Sequence, residues 1–256
     1  MRIYQEILTA RESGQKLLAV LMDPEKIHID QIHEFVKKVN QSIATHIFVG
    51  GSTDRNHQTE NMVVEIKKYT TLPVILFPGD VNQVTPKADG ILFLSLISGR
   101  NPEYLIEQQI DAALKVNQSK LEVLPTGYIL IDGGKETSVQ KVSKTQPISQ
   151  TDYNLILKTA LAGQFTGKKL IYLEAGSGAK TPVSAVVINC VKSELIIPLI
   201  VGGGIRNVQQ LNNAYNAGAD MVVIGTAFEN DPSFFNELKF TTHEHIRGVD
   251  THATSK

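Results

Sequence analysis

Three apolar, β-rich runs in the last third of the chain each lead into glycine, and this feature most constrains the fold. Glycines follow at Gly176 and Gly178, at Gly202 to Gly204 and at Gly225, and a helix-like segment comes after each set. Repeated strand–loop–helix units predict parallel strands whose carboxyl ends meet at one edge of a sheet. Glycine at that edge lets an anion such as phosphate approach backbone N–H groups closely. The pattern predicts a parallel α/β sheet with an anion-binding edge.

The whole chain continues this alternation, and its 256 residues suit one eight-stranded barrel. We predict the α/β class, with a single (β/α)₈ TIM-type barrel over residues 1–240. Residues 79–89 are too few for a crossover helix, so the helix between strands three and four is predicted to be missing or replaced. Residues 241–256 show no apolar period and are predicted to form a disordered tail. The predicted strands are Leu17–Met22, His46–Ser52, Pro73–Pro78, Gly90–Ser95, Glu122–Ile131, Lys169–Glu174, Ile196–Val201 and Met221–Ile224.

Helical patterns fill most of the intervals between these strands. Asp30 is predicted to cap the helix after strand one, and Asn101 to cap a helix with Pro102 at its first position. Residues 135–150 are polar and without period, and are predicted to form a long loop, a candidate lid. The remaining predicted helices are 4–15, Met62–Tyr69, Tyr153–Leu161, Val183–Val191, Val208–Ala217 and Pro232–Leu238.

Composition narrows the classes of partner. The 25 basic and 26 acidic residues leave a net charge of -1, which provides no basic footprint for nucleic acid. No apolar run approaches the ~18 residues of a membrane span. The single cysteine, Cys190, can form no internal disulfide and is predicted to be a small buried core residue. We expect a soluble, cytoplasmic chain that forms a homo-oligomer.

The predicted strand ends carry the candidate chemistry, because catalytic groups of such barrels lie there. Glu174 is the carboxylate beside the anion site, either a catalytic base or a group held by Lys180 or a helix start. Asp23 is a metal ligand, a base, or only the cap of the next segment. Together with Ser52 on the neighbouring strand, it could complete the oxygen shell of a Mg²⁺ whose other ligands are diphosphate oxygens and water.

These residues and their neighbours form a set of motifs with a known counterpart. In this order, the set resembles the geranylgeranylglyceryl phosphate synthases and the related heptaprenylglyceryl phosphate synthases, from about Leu17 to Leu238. Two places depart from the family pattern: Ile97 to Gly99, and Asp80. The matching motifs are Met22–Pro24, Phe48–Ser52, Phe77–Gly79, Leu94–Ile106, Pro125–Ile129, Tyr172–Gly178, Val201–Arg206 and Ile224–Thr226.

The resemblance implies a reaction that joins sn-glycerol 1-phosphate to a polyprenyl diphosphate, most simply geranylgeranyl diphosphate, through an ether bond. It implies Mg²⁺ as the cofactor, held by Asp23 and Ser52. It also implies transient contact with a membrane that receives the lipid product. The implied glycerol phosphate contacts are Tyr172, Leu173, Glu174, Ala175, Gly176, Ser177, Gly178, Gly203, Gly204, Gly225 and Thr226.

Physical chemistry assigns roles within this set. A glycerol hydroxyl is a poor nucleophile, so Glu174 is the candidate general base, with Tyr172 orienting the glycerol. A long isoprenoid needs a dry channel, and four apolar residues lie around the ends of strands three and four. Each of them taken singly also fits ordinary barrel core. The candidate prenyl-channel residues are Phe77, Phe93, Leu96 and Ile97.

Two other functions fit the pattern less well. A sugar-phosphate isomerase could use Asp23 and Asp132, at the ends of strands one and five, as its two catalytic aspartates. A bis-phosphorylated substrate would then require a second glycine-rich phosphate site, which the first half of the chain lacks. A non-catalytic barrel that binds a phosphoester or a prenyl lipid is the alternative from another class.

Overall fold

Eight parallel strands close into one barrel in the computed structural model, which describes residues 2–52, 54, 56–225, 227–228 and 234–238. The strands pair in sequence order, and β1 pairs with β8, with Leu17 opposite Met221 and Val20 opposite Ile224. The barrel predicted from the sequence is confirmed. The strands are β1 (Leu17–Met22), β2 (His46–Val49), β3 (Val74–Leu76), β4 (Gly90–Leu96), β5 (Glu122–Leu130), β6 (Leu170–Glu174), β7 (Leu199–Gly202) and β8 (Met221–Ile224).

Helices surround the strands, and several differ from the predicted bounds. Asp30 does not cap the second helix: it lies in a 3₁₀ turn, Ile29–Gln31, that precedes it. Asn101 does accept a hydrogen bond from the N–H of Glu103, where a π-helical turn (Glu103–Glu107) leads into the fourth helix. The helices are α1 (Ile3–Glu12), α2 (Ile32–Asn40), α3 (Thr59–Ile66), α4 (Gln108–Gln118), α5 (Ser138–Ser143), α6 (Tyr153–Phe165), α7 (Ala185–Glu194), α8 (Val208–Asn216) and α9 (Phe234–Glu237).

Strand alternation divides the core into two layers. Leu17, Ala19, Phe48 and Tyr172 pack inside the barrel, whereas Leu18 and its outward neighbours pack against the helices. Parallel strands covered on both faces read as continuous apolar runs, which is why this division was invisible in the sequence. Cys190 on α7 is only partly buried, so its prediction as a buried core residue is wrong.

Helix α1 closes the amino-terminal end of the barrel. Ile3, Ile7 and Ala10 are buried in the same cluster as the first residues of the strands. The Glu122 carboxylate, on β5, accepts hydrogen bonds from the N–H groups of Ile3 and Tyr4 at 2.6 and 3.0 Å. Among the described residues, side chains therefore fill this end of the barrel, and a cavity is lined by residues at the carboxyl ends of the strands.

The connection between β3 and β4 holds a 3₁₀ turn, Val81–Gln83, in place of a helix, as predicted. The loop predicted over residues 135–150 instead contains α5, capped by the Thr137 hydroxyl, which accepts from the N–H of Gln140 at 3.1 Å. The predicted tail, 241–256, and the domain boundary at residue 240 lie outside the described residues.

Candidate active site

One cavity of about 620 Å³ opens at the carboxyl ends of the strands. Its lining includes Asp23 and Ser52 from the early strands as well as Glu174, Gly203 and Gly204 from the late strands. The predicted metal ligands and the predicted anion site therefore face one space, as a reaction between two bound compounds requires.

Glu174 ends β6 with its side chain turned into the barrel mouth and only 6% exposed. Its Oε1 accepts the N–H of Gly176 at 2.6 Å. Burial raises the pKa of the Glu174 carboxyl above its usual range, and the adjoining Tyr172 hydroxyl and the N–H of Gly176 oppose that shift. A carboxyl with a raised pKa is a stronger base at neutral pH than an exposed one.

Tyr172 lies two residues earlier on the same strand and is fully buried. Its hydroxyl adjoins the Glu174 carboxylate, yet it makes no well-aligned hydrogen bond within the described part of the chain. Burial raises the pKa of Tyr172 well above its usual range, so the hydroxyl stays protonated. Its ring stacks on Phe77 at 5.4 Å between centroids. An unpaired buried hydroxyl of this kind is available to a ligand.

Four glycines with positive φ shape the anion side of the cavity: Gly176 (97°), Gly178 (71°), Gly203 (84°) and Gly204 (74°). A Cβ on Gly203 would lie 2.4 Å from Oε1 of Glu174, so no larger residue fits there. Among the described residues, the N–H groups of Gly178, Gly203 and Gly204 donate to no acceptor. They form a cradle of free donors that suits a phosphate.

The remaining predicted glycerol phosphate contacts fall into three groups: residues that line the cavity, residues buried elsewhere, and one that lies outside the described residues. Ser177 and Gly225 line the cavity, whereas Leu173 and Ala175 are buried in the layer between strands and helices and do not. Thr226 lies outside the described residues.

Asp23 and Ser52 line the opposite side. The Asp23 side chain is 17% exposed, and burial is the main cause that raises the pKa of its carboxyl. A Cβ on Gly51 would lie within 3.0 Å of this carboxylate, so the loop that carries Ser52 runs directly against Asp23. The described residues contain no group of three or more His, Cys, Asp or Glu side chains placed to hold a metal. One carboxylate and one hydroxyl suit a Mg²⁺ that takes its remaining ligands from a substrate and water.

An apolar arm extends the cavity between the barrel wall and α4, where the helix after β3 is absent. Phe77, Phe93 and Leu96, the residues predicted for the channel, line the cavity, and Val84 and Ala112 line the arm with them. Ile97 does not line it; it packs in the outer layer, with its Cδ1 beside Gly127 and Gly163. The structure does not support the assignment of Ile97 to the channel, because its side chain packs against Gly127 of β5 and Gly163 of α6 instead.

Sequence reasoning missed many residues of the cavity wall, among them the polar residues Lys26, Tyr128, Thr137 and Arg206. Tyr128 packs with Leu124 inside the barrel, which the sequence of β5 did not reveal. The other three lie on loops, where no periodicity predicts which side chains reach the cavity. Asp132, the second aspartate of the isomerase alternative, is exposed and does not line the cavity.

Comparisons with known proteins agree with this geometry. The model of the PcrB family matches residues 11–243. Geranylgeranylglyceryl phosphate synthase of Zunongwangia profunda is 60% identical over 229 residues, 90% of this chain and 97% of that one. The synthase of Flavobacterium johnsoniae is 55% identical over 234 residues, 91% of this chain and 96% of that one.

A solved structure shares the fold. It is (S)-3-O-geranylgeranylglyceryl phosphate synthase from Thermoplasma acidophilum in complex with its substrate sn-glycerol-1-phosphate. The match has a TM-score of 0.87 and 35% identity, and covers 93% of this chain and 96% of that one. The family model matches most of the chain, and the barrel fold agrees with it. The chain therefore belongs to the PcrB family.

Proposed function

We propose that the protein is a prenyltransferase that joins sn-glycerol 1-phosphate to a polyprenyl diphosphate through an ether bond and releases diphosphate. The observation that carries the proposal is the single cavity, which combines a glycine cradle, a buried carboxylate, an early-strand aspartate and an apolar arm. Relatives named geranylgeranylglyceryl phosphate synthase support it, as does the neighbour whose structure holds sn-glycerol-1-phosphate.

Glycerol 1-phosphate binds with its phosphate in the cradle of Gly178, Gly203 and Gly204. Its terminal hydroxyl then lies beside Glu174, with the Tyr172 hydroxyl orienting the glycerol. As the new C–O bond forms, the hydroxyl proton passes to the Glu174 carboxylate. The allylic C–O bond breaks, and its electron pair leaves with the diphosphate.

Asp23 and Ser52 would hold Mg²⁺ on the side of the leaving group. The bound ion would stabilise the negative charge that grows on the diphosphate. Asp23 supplies the anionic ligand, and Gly51 keeps the loop close enough for the Ser52 hydroxyl to take part.

The polyprenyl chain occupies the apolar arm, whose residues Phe77, Phe93, Val84 and Ala112 exclude water. Burial at about 25 cal/mol per Å² would contribute several kcal/mol to the binding of a geranylgeranyl chain.

Membrane lipid synthesis is the process that consumes such an ether. No helix of the described residues is long and apolar enough to cross a bilayer. A cytoplasmic location, a homo-oligomeric state and transient membrane contact belong to the same proposal.

Incubation with radiolabelled glycerol 1-phosphate and prenyl diphosphates of several lengths, followed by extraction into organic solvent, tests the proposal. We expect magnesium-dependent label in the organic phase, with a maximum at one chain length.

Asp23→Asn should abolish the activity or its dependence on magnesium, and full activity in EDTA would refute the metal assignment.

The same assay separates the alternatives. A binding module would retain its ligand without releasing diphosphate, and an isomerase would ignore the prenyl compound. Label that stays in the aqueous phase with every prenyl diphosphate would refute the prenyltransferase.

A further inference from the structure

Only two basic residues line the cavity within the described part of the chain, Lys26 and Arg206, against five carboxylates. The Arg206 guanidinium is directed at the backbone: it donates to the carbonyls of Ala179, Gly178 and Lys180 in the loop after β6. Arg206 therefore stabilises the loop after β6, which forms part of the cavity wall. Lys26 is the basic side chain that lies between the predicted metal ligand Asp23 and the predicted phosphate loop at Ser177.

Lys26 connects two loops that are not neighbours in the barrel. It follows β1, which pairs with β2 and β8, yet its Nζ donates to the hydroxyl of Ser177 after β6 at 3.2 Å. The same Nζ lies 3.5 Å from Oδ2 of Asp23. Lys26 thus crosses the cavity mouth from the predicted metal ligand to the predicted phosphate loop.

Both substrates of the proposed reaction are anions, and this makes the position of the Lys26 ammonium group important for binding them. A phosphate monoester and a diphosphate must lie side by side when the glycerol oxygen attacks the allylic carbon, and the lining adds carboxylates of its own. One divalent ion on the diphosphate side leaves the repulsion between the two anions largely uncompensated. An ammonium group between them, with three donors, can bond oxygens of both.

We propose that Lys26 is an anion-binding residue shared by the two substrates, with its Nζ between the glycerol phosphate and the diphosphate. This inference rests on the proposed function. The Ser177 hydroxyl holds Nζ near the phosphate loop, and Asp23 holds it near the diphosphate. Its side chain is 41% exposed, so solvent and bound anions can reach the ammonium group.

Calorimetric titration of glycerol 1-phosphate, and separately of inorganic diphosphate, into the full chain without magnesium tests the role. A hydrogen bond to a charged group contributes about 1.5–3 kcal/mol, so Lys26→Met should weaken both affinities roughly 10-fold to 100-fold. Lys26→Arg should retain much of both. Lys141→Met is the control: Lys141 is exposed, its Nζ lies 3.3 Å from Oε2 of Glu136, and it does not line the cavity.

The outcomes separate the possible roles of Lys26. Unchanged affinities in Lys26→Met, together with tighter Mg²⁺ binding, would make Lys26 only the counter-ion of Asp23 and would overturn the inference. A loss confined to one of the two compounds would overturn the shared role. If the wild-type chain binds neither compound, the proposed function itself fails. Melting temperatures of the variants, expected to match the wild type, exclude loss of fold as the cause.

Discussion

At the scale of single residues, Glu174 shows how burial sets both reactivity and stability. The carboxylate is nearly sealed beneath the glycines that follow β7, and a Cβ on Gly202 would lie 2.7 Å from its Oε2. Burial keeps water away from the charge and so raises the pKa of Glu174. A group whose pKa is higher in the folded than in the unfolded chain stabilises the fold at low pH and loses that contribution as pH rises. The ionised Glu174 carboxylate therefore destabilises the folded state.

Replacement of Glu174 by Gln should consequently lower turnover by about 10²-fold or more, the scale of a lost general base. Glycerol phosphate should still bind, and the melting temperature at pH 8 should rise, with the gain shrinking toward acid pH. Turnover assays and thermal melts across pH measure both effects. Asp132→Asn is the control on the exposed aspartate and should change neither. Near-normal turnover of Glu174→Gln would remove Glu174 from the mechanism.

His46 supplies a second residue-scale effect that the sequence did not reveal. It starts β2 and is 3% exposed, and among the described residues only its Nδ1 finds a partner, the Thr45 hydroxyl at 2.8 Å. Burial lowers the pKa of His46 to about 4 from 6.5. The unfolded chain therefore takes up a proton before the folded one does, and stability falls as pH drops from 6.5 to 4.

The His46 contribution over that window is about 3 kcal/mol. We expect the unfolding free energy of the wild type to decline between pH 6.5 and 4 more steeply than that of His46→Gln. Denaturant titrations at several pH values provide the comparison. Parallel curves for the two proteins would show that His46 titrates normally in the folded state.

At the scale of elements, the 3₁₀ turn after β3 does more than replace a helix. Its last residue, Gln83, is 1% exposed and connects two loops of the site. Gln83 Oε1 accepts the N–H groups of Gly51 and Gly79 at 3.4 and 3.3 Å, and Nε2 donates to the Gly51 carbonyl at 3.0 Å. The turn thereby fixes the loop that carries Ser52 and runs against Asp23 at Gly51.

Substitution of Gln83 by Leu should loosen that loop and raise the KM for the prenyl diphosphate and the magnesium requirement several-fold. The KM for glycerol phosphate, whose cradle lies on the other side, should stay within a factor of two or so. Asn82→Ala, one position earlier on the same turn, is the control. Equal rises in both KM values would point to general loss of structure rather than to positioning of one loop.

At the scale of the whole molecule, the replaced helix decides where a long substrate can go. Helix α1 fills the amino-terminal end of the barrel, so the arm between β4 and α4 is the direction in which the cavity extends. Ala112 lies on the inner face of α4 and lines this arm. Leu114, two positions later on the same helix, is 74% exposed on the opposite face.

A larger side chain at Ala112 should shorten the arm. We expect Ala112→Phe to move the preferred substrate to a shorter prenyl diphosphate, with the preference shifted about 10-fold or more. Leu114→Phe, the control on the outer face, should leave chain-length preference unchanged. Competition between prenyl diphosphates of different lengths measures the shift, and an unchanged preference in Ala112→Phe would place the chain elsewhere.

The sequence by itself determined the barrel, the missing helix and most residues of the candidate anion site. Those features depend on local signals: buried parallel strands read as apolar runs, glycines mark close backbone approach, and a short connection leaves no room for a helix. Only the tertiary structure decided that Lys26 reaches Ser177, that Gln83 joins two loops and that Ile97 turns away from the cavity. Each of these depends on where loops from distant parts of the chain meet when the barrel closes, and no periodicity along the chain encodes that distance.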